Sequence, residues 1–191
     1  MSTALASQLT FEDYEREARD CIKNLPAGYP VSHPKQAKQR EITNAAFALM
    51  RVVHKDFHYF SRLRVNYSRG DELRRIAPDN IISFGFASHT SGGNCAIGGN
   101  RCSLLAAFTY DCFSPPEESR QDFCVFEKEL AVPYYVLFYP LHQSLRLYIH
   151  NGKNYDLASP NKKLKYEIPE LNIELALHNG WLRIWFNNEL L

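Results

Sequence analysis

Two aspartates, Asp79 and Asp111, have the type and spacing that could support metal chemistry. Asp79 stands at the head of an apolar run, residues 80–86, and Asp111 is predicted inside the next one, residues 104–113. A buried ionised carboxylate is costly unless it is paired, protonated or bound to a cation. Because neighbouring strands lie about 4.8 Å apart, both acids can reach one sheet edge. Paired carboxylates there would suit Mg²⁺ or Mn²⁺, which can polarise a phosphodiester and activate a water.

The same acids also have a purely structural interpretation. The residue types alone do not decide between this interpretation and metal binding. In that interpretation Asp79 caps a turn and Asp111 pairs with a nearby arginine. A second metal pattern, His54 and His58 at i, i+4 spacing, lacks the glutamate that the zinc-protease motif requires after its first histidine. We interpret these two residues as partly exposed helix histidines.

The elements that would position the acids follow from periodicity and turn residues. Helical spacing predicts helices over residues 11–25, 36–57 and about 115–130, with an irregular proline-rich connection over residues 24–34. The face predicted to pack in the second helix carries Ile42, Ala45, Ala46, Leu49, Met50 and Val53. The predicted strands are residues 59–67, 80–86, 104–113 and 134–139.

The connections are read in the same way. A turn is predicted over residues 68–73, and the glycine-rich stretch 88–100 is interpreted as a surface loop because it matches no phosphate-binding motif. Asn151-Gly152 and Asn179-Gly180 predict two hairpins near the C-terminus. Trp181 and Trp185 are expected to pack there without a ligand.

This element order predicts an α/β domain with a mixed sheet, helices on its faces and antiparallel C-terminal hairpins. The length of 191 residues suits one domain over residues 1–191. Residues 1–35 would form the N-terminal helix and irregular connection, and residues 36–191 the core.

The overall charge does not indicate a nucleic-acid partner, because the net charge is only +1. One local stretch, residues 51–75, carries seven positive and three negative side chains and therefore a local charge of +4. Its cations are Arg51, Lys55, Arg62, Arg64, Arg69, Arg74 and Arg75. This stretch could contact DNA phosphates, or it could be an ordinary solvated face.

Cysteine usage and hydropathy favour a cytoplasmic protein. The five cysteines are odd in number and have no C-x-x-C spacing, which argues against a disulfide framework and a zinc site. The charged residues of the first 25 positions exclude a signal peptide, and no apolar run approaches the roughly 20 residues of a membrane span.

The order of several short motifs resembles the Uma-type restriction endonuclease family of the PD-(D/E)xK nuclease superfamily. These motifs are Gly70-Asp71 running into Ala77-Pro78-Asp79, Asp111 before Ser114-Pro115, the run 131–138 before Pro140, and Ile168-Pro169-Glu170-Leu171 through Gly180-Trp181. The resemblance covers roughly residues 59–186. It implies a restriction-endonuclease-like core, with Asp79 and Asp111 as the metal-binding acids of a DNA endonuclease that uses Mg²⁺ or Mn²⁺, and it implies that a homodimer is possible.

The chain departs from that family where the catalytic lysine is expected. Phe113 stands two residues after the second acid, and the following helix offers Asp122 and Phe123 near the place of a displaced lysine. Lys128 or Arg120 would have to substitute for it. Two hypotheses follow: a metal-dependent endonuclease with Asp79, Asp111 and Lys128 as catalytic residues, or a catalytically inactive domain that kept the fold as a binding or interaction module.

Overall fold

The computed structural model describes residues 33–53, 57–69, 72–84, 94–96, 103–112 and 121–191. The predicted helix over residues 11–25, the connection that follows it and most of the glycine-rich stretch lie outside these residues. So do His54, Phe113 and Arg120.

The described chain contains two α-helical segments, two short helical turns and thirteen strands. The helical segments are α1 (Pro34–Val53) and α2 (Gln121–Cys124), which continues as a π-helical turn (Val125–Glu129), and a 3₁₀ turn follows later (Pro169–Leu171). The first seven strands are β1 (Phe57–Ser61), β2 (Arg64–Arg69), β3 (Glu72–Ile76), β4 (Asn80–Phe84), β5 (Asn94–Ala96), β6 (Ser103–Tyr110) and β7 (Tyr134–Tyr139). The remaining six are β8 (Ser144–His150), β9 (Tyr155–Leu157), β10 (Tyr166–Ile168), β11 (Ile173–His178), β12 (Trp181–Phe186) and β13 (Glu189–Leu190).

A six-stranded mixed sheet in the order β1-β4-β6-β7-β8-β9 forms the centre of the fold. Its pairs are antiparallel except for β6 and β7, which run parallel and are joined through α2 and the π-helical turn. A parallel pair requires such a crossover, whereas antiparallel neighbours can be joined by tight turns. The predicted mixed sheet with a helical crossover is therefore confirmed.

Two smaller sheets complete the fold. One is antiparallel in the order β10-β11-β12-β13, and the other, in the order β3-β2-β5, pairs β2 with β5 in parallel. The strand β5 lies within the stretch predicted to be a loop. The strands β2 and β3 pair with Arg69 opposite Glu72, so within the predicted turn over residues 68–73 the described residues belong to strands. The turn at Asn179-Gly180 has positive φ angles of 52° and 77°, as the Asn-Gly pair predicts.

The strand predicted over residues 59–67 is broken into β1 and β2. Arg62 has a φ of 54°, a left-handed conformation in which the chain turns out of the six-stranded sheet. Its backbone N–H donates to the carbonyl of Asp79 at 3.0 Å. The alternation of apolar and polar residues continues from β1 into β2 because both strands are half-buried. The sequence pattern therefore does not indicate where β1 ends and β2 begins.

Two hydrophobic clusters cover the two faces of the central sheet. One contains Phe108 and Val136 of the sheet with Phe47 of α1 and Leu182 of β12. The other contains Ala107 and Tyr135 of the sheet, together with Phe126 of the crossover and Val65 of β2. Helix α1 and the C-terminal sheet thus cover one face, and the crossover and β2 cover the other.

Helix α1 begins at Pro34, close to the predicted start, but it buries a different face. The Nδ1 atom of His33 accepts the backbone N–H of Lys35 at 3.2 Å and so caps the helix. Its buried residues are Gln39, Thr43, Ala46, Phe47 and Met50, whereas Leu49 and Val53 of the predicted face are exposed. Polar side chains are buried because they find hydrogen-bond partners in the sheets. In the described parts of the chain, no helix is long and apolar enough to cross a membrane.

Candidate functional site

The two aspartates lie at the same end of neighbouring central strands. Asp79 directly precedes β4 and Asp111 directly follows β6, and these strands are antiparallel. The N–H of Asp79 donates to the carbonyl of Phe108 at 2.9 Å, and the N–H of Asp111 donates to that of Phe138 at 2.9 Å. Asp111 therefore lies just past its strand and not inside it, since β6 ends at Tyr110. Both residues are buried, with exposed fractions of 6% and 4% for the whole residue.

The carboxylate of Asp79 is fully engaged by protein donors. Arg40 Nη1 lies 2.6 Å from Oδ1, and the Gln36 amide donates to both oxygens at 3.1 and 3.2 Å. The backbone N–H of Tyr110 donates to Oδ2 at 2.7 Å. A carboxylate offers about four acceptor positions, so each oxygen of Asp79 already accepts two contacts. The Arg40 guanidinium balances its charge.

Helix α1 supplies these donors because Gln36 and Arg40 are four residues apart and share one face. The interpretation of Asp79 as a structural residue therefore gains support, and its charge is paired with an arginine. The sequence contains a signal for this arrangement that periodicity analysis missed. Polar residues Gln36, Gln39, Arg40, Thr43 and Asn44 recur at helical spacing, as a buried polar face would.

The N-terminal turn of α1 also faces Cys112, which follows Asp111. Burial, followed by the negative charge of Asp111, raises the pKa of the Cys112 thiol from 9.0 to about 12. The positive charge of Lys35 and a backbone hydrogen bond from Gln36 act in the opposite direction. The thiol stays protonated at neutral pH and is a poor nucleophile, since reactivity requires the thiolate.

The donor set does not fit a divalent cation in this arrangement. Magnesium requires open oxygen ligands in near-octahedral geometry, and both oxygens of Asp79 are already occupied by Arg40, Gln36 and Tyr110. Within the described ranges, no group of three or more histidine, cysteine, aspartate or glutamate side chains could hold a metal ion. An ion at Asp79 would first have to displace a buried arginine.

The structure does not bring Lys128 to the two aspartates. Lys128 is exposed on the π-helical turn. Its neighbour Glu127 is bonded to His150 and to the backbone N–H of Tyr155, at the end of the sheet where β7 begins. Asp111 lies beside Phe138, about 13 Å further along β7 at the usual rise per residue. The backbone near Lys128 therefore lies towards the opposite end of β7 from Asp111, and the substitution of Lys128 for the missing lysine stays a prediction.

Aromatic side chains occupy the region where a displaced lysine was expected on the crossover. Phe123 packs against the rings of Tyr148, Tyr155 and Tyr135, with centroid distances of 4.9, 5.3 and 5.9 Å. Asp122 lies next to this cluster and accepts a contact from the Tyr135 hydroxyl at 3.4 Å. Position 123 therefore contributes to packing.

The middle of the basic stretch, at Arg62, lies beside the acid site. The backbone of Arg62 is hydrogen-bonded to Asp79, and Arg62, Arg64 and Arg75 are exposed. Two other arginines are paired with acids: Arg69 lies 3.4 Å from Glu129 and Arg74 lies 2.6 Å from Glu72. The hydrogen bond from Arg74 lowers the pKa of Glu72. The positive charge of part of the predicted basic stretch is thus balanced by neighbouring glutamates.

Four solved chains are similar to this one in structure. No protein-family model matches the chain, and no curated protein matches it. A solved structure from Anabaena variabilis ATCC 29413, described as "a putative nuclease belonging to DUF820", matches 81% of this chain and 89% of its own. The identity is 15% and the TM-score is 0.47, which are too low to assign the chain to that family.

Proposed function

We propose that this domain is a non-catalytic nucleic-acid-binding module in which the acid pair has a structural role. The observation that carries the proposal is the saturated carboxylate of Asp79, held by Arg40, Gln36 and the backbone of Tyr110. A metal-activated hydrolysis needs open carboxylate oxygens and a nearby cation to offset charge in the transition state. The carboxylate oxygens of Asp79 already accept hydrogen bonds, and the backbone near Lys128 lies towards the other end of β7.

Nucleic acid is the proposed partner because of the arginines next to this site. Arg64 and Arg75 lie on one face of the β2–β3 hairpin. Arg64 and Asn66 are two residues apart on β2 and share a face, and Asn66 is the cross-strand partner of Arg75. Arg62 lies at the start of the same hairpin and is exposed. Three exposed arginines on and beside one hairpin suit neighbouring phosphates, which arginine binds in a bidentate manner.

Binding is tested by fluorescence anisotropy with labelled single- and double-stranded DNA over a series of salt concentrations. Each lost phosphate contact should reduce the slope of log K against log salt by about 0.7 to 0.9. We expect Arg64→Ala and Arg75→Ala each to produce such a reduction. The matched control is Lys153→Ala, an exposed cation on the distant β8–β9 turn.

Two results would contradict the binding proposal. One is the absence of salt-dependent binding by the native protein, and the other is equal loss in Lys153→Ala and Arg64→Ala. Light scattering on the same samples would give the stoichiometry and test the predicted homodimer.

A metal-dependent endonuclease is the second candidate, favoured by one observation. Two buried carboxylates lie at the same end of adjacent strands, where a shared ion could be bound if Arg40 moved away. The test is a plasmid-nicking assay with Mg²⁺ and Mn²⁺ on the native protein, Asp79→Ala, Asp111→Ala and Phe123→Lys. We expect no nicking by any of them. Nicking by the native protein that Asp79→Ala removes would replace the first proposal by this one.

A further inference from the structure

A polar cavity on the C-terminal sheet lies outside the acid site and has a volume of about 520 Å³. Its wall includes Trp185 of β12, Glu167 of β10 and Glu174 of β11, together with Asn172, Asn187 and Asn188 from two loops. The volume falls within the usual range of small-molecule sites. Trp185 was expected simply to pack, but it is half-buried and takes part in this wall.

The acidic side of the cavity is held in place by side chains behind it. Lys165 Nζ lies 2.6 Å from Glu174 Oε2 and 4.4 Å from the centroid of the Trp185 ring. The amide of Asn161 donates to Glu167 at 2.7 Å and to Glu174 at 3.1 Å. One ammonium and one amide thus fix two carboxylates and an indole relative to each other.

The opposite side is fixed by its backbone and by one side-chain contact. Asn172, Asn187 and Asn188 have positive φ angles of 53°, 50° and 66°, a conformation that asparagine tolerates better than most residues. The amide of Asn172 donates to that of Asn187, which ties the loop after the 3₁₀ turn to the β12–β13 turn. Preformed walls reduce the ordering cost of binding.

The chemistry of the lining selects one ligand class. Carboxamides donate and accept hydrogen bonds, and ionised carboxylates accept them, which matches the hydroxyl groups of a sugar. The Lys165 ammonium lies over one face of the Trp185 ring, and the face that it does not cover would offer a flat apolar surface to the C–H face of a pyranose ring. The lining contains two carboxylates and no cation, whereas Lys165 and Lys163 act on Glu174 from outside the lining. Carboxylates in the wall itself disfavour phosphates and nucleotides.

We propose that this cavity binds a neutral saccharide, with a pyranose ring on Trp185 and its hydroxyl groups bonded to Glu167, Asn187 and Asn188. Shallow sites of this kind bind weakly, and a dissociation constant of about 1 mM corresponds to roughly −4 kcal/mol. The proposal is independent of nucleic-acid binding and of the acid pair, which lies on other strands.

The experiment uses the fact that the chain has only two tryptophans. In Trp181→Phe the remaining indole is Trp185, so its fluorescence reports on the cavity. Titration with maltose, cellobiose, lactose and N-acetylglucosamine should give a saturable change with at least one of them. Isothermal calorimetry should then show native affinity in Trp181→Phe, no measurable binding in Trp185→Ala and about tenfold weaker binding in Glu167→Gln.

Folding of each variant is checked by its thermal unfolding curve. Glu167 is exposed, so Glu167→Gln should keep the native curve even if Trp185→Ala does not. Absence of a saturable response to all four sugars would overturn the proposal. So would equal affinity in native protein and Glu167→Gln, or unchanged affinity in a folded Trp185→Ala variant.

Discussion

The pairing of Asp79 with Arg40 determines what the acid site can do. Both side chains are nearly buried, with exposed fractions of 7% and 11%, and their nitrogen and oxygen atoms are 2.6 Å apart. A buried ion pair need not stabilise a protein relative to apolar residues, but removal of one partner leaves a charge without compensation. The acid thus behaves as part of the attachment of α1 to the central sheet.

We expect Arg40→Met and Asp79→Asn each to lower the free energy of unfolding by about 3 kcal/mol. The double variant should lose less than the sum of the two by at least about 1 kcal/mol, since the residues contact each other. Urea unfolding followed by circular dichroism measures all three values. Lys38→Ala is the control, because its ion pair with Glu41 is 3.7 Å long and exposed, and should cost under about 0.5 kcal/mol.

The opposite sign for Asp79→Asn would support a metal site. Carboxylates assembled for a cation repel one another when the cation is missing, so neutralising one of them would stabilise the protein. An increase in unfolding free energy in Asp79→Asn is therefore incompatible with the structural role proposed for this residue.

At the level of elements, α1 joins two sheets through polar side chains. Gln36 and Arg40 bond to Asp79, Asn44 accepts from Asn80, and Thr43 accepts from the Tyr110 hydroxyl. On the other side, the amide of Gln39 donates to the carbonyl of Leu182 at 2.9 Å and accepts its N–H at 3.1 Å. The side-chain amide of Gln39 thus pairs with the backbone of Leu182 as a neighbouring strand would, at a part of β12 that β13 does not cover.

Gln39→Ala is expected to lower the free energy of unfolding by about 3 kcal/mol. The substitution leaves two buried backbone groups of Leu182 without partners, and each such group costs about 1 to 3 kcal/mol. Glu41→Ala on the exposed face of α1 is the matched control and should change stability by less than about 0.5 kcal/mol. Equal values for the two variants in urea unfolding would show that water reaches the β12 edge.

At the scale of the whole molecule, the described core contains several tyrosine hydroxyl groups and one thiol that burial keeps neutral. Burial raises the pKa of Tyr110, Tyr134 and Tyr155 above the usual value of 10.0. Burial raises that of Cys112 to about 12 from 9.0. These groups lose their protons more readily in the unfolded chain than in the folded one. Their contribution to the free energy of unfolding is complete below the pKa values of the unfolded chain. It is lost as the pH rises towards the pKa values of the folded protein.

Stability should therefore fall with pH from about pH 9 upwards, as the unfolded chain releases protons that the fold retains. One such group contributes about 1.4 kcal/mol per pH unit. We expect Cys112→Ala to reduce the slope between pH 9 and 12 by up to this amount in urea unfolding. Ile81→Val, a buried substitution that does not titrate, should lower stability without changing the slope.

Local patterns in the chain predict the elements well because they depend on neighbouring residues. Helix α1, the strands β4, β6 and β7, and the turn at Asn179-Gly180 follow from helical period, apolar runs and turn chemistry. The prediction that the two acids lie on adjacent apolar runs holds for the same reason, but Asp111 was expected inside its strand and lies just after Tyr110, where β6 ends.

What the tertiary structure alone decided is the partner of each group. The buried face of α1, the break at Arg62 and the engagement of Asp79 by Arg40 all depend on contacts between residues far apart in the chain. Whether a buried carboxylate binds a metal or an arginine is a competition between donors that only the packed fold brings within hydrogen-bonding distance. Here an arginine 39 positions away in the chain occupies the place that the sequence had left open for a cation.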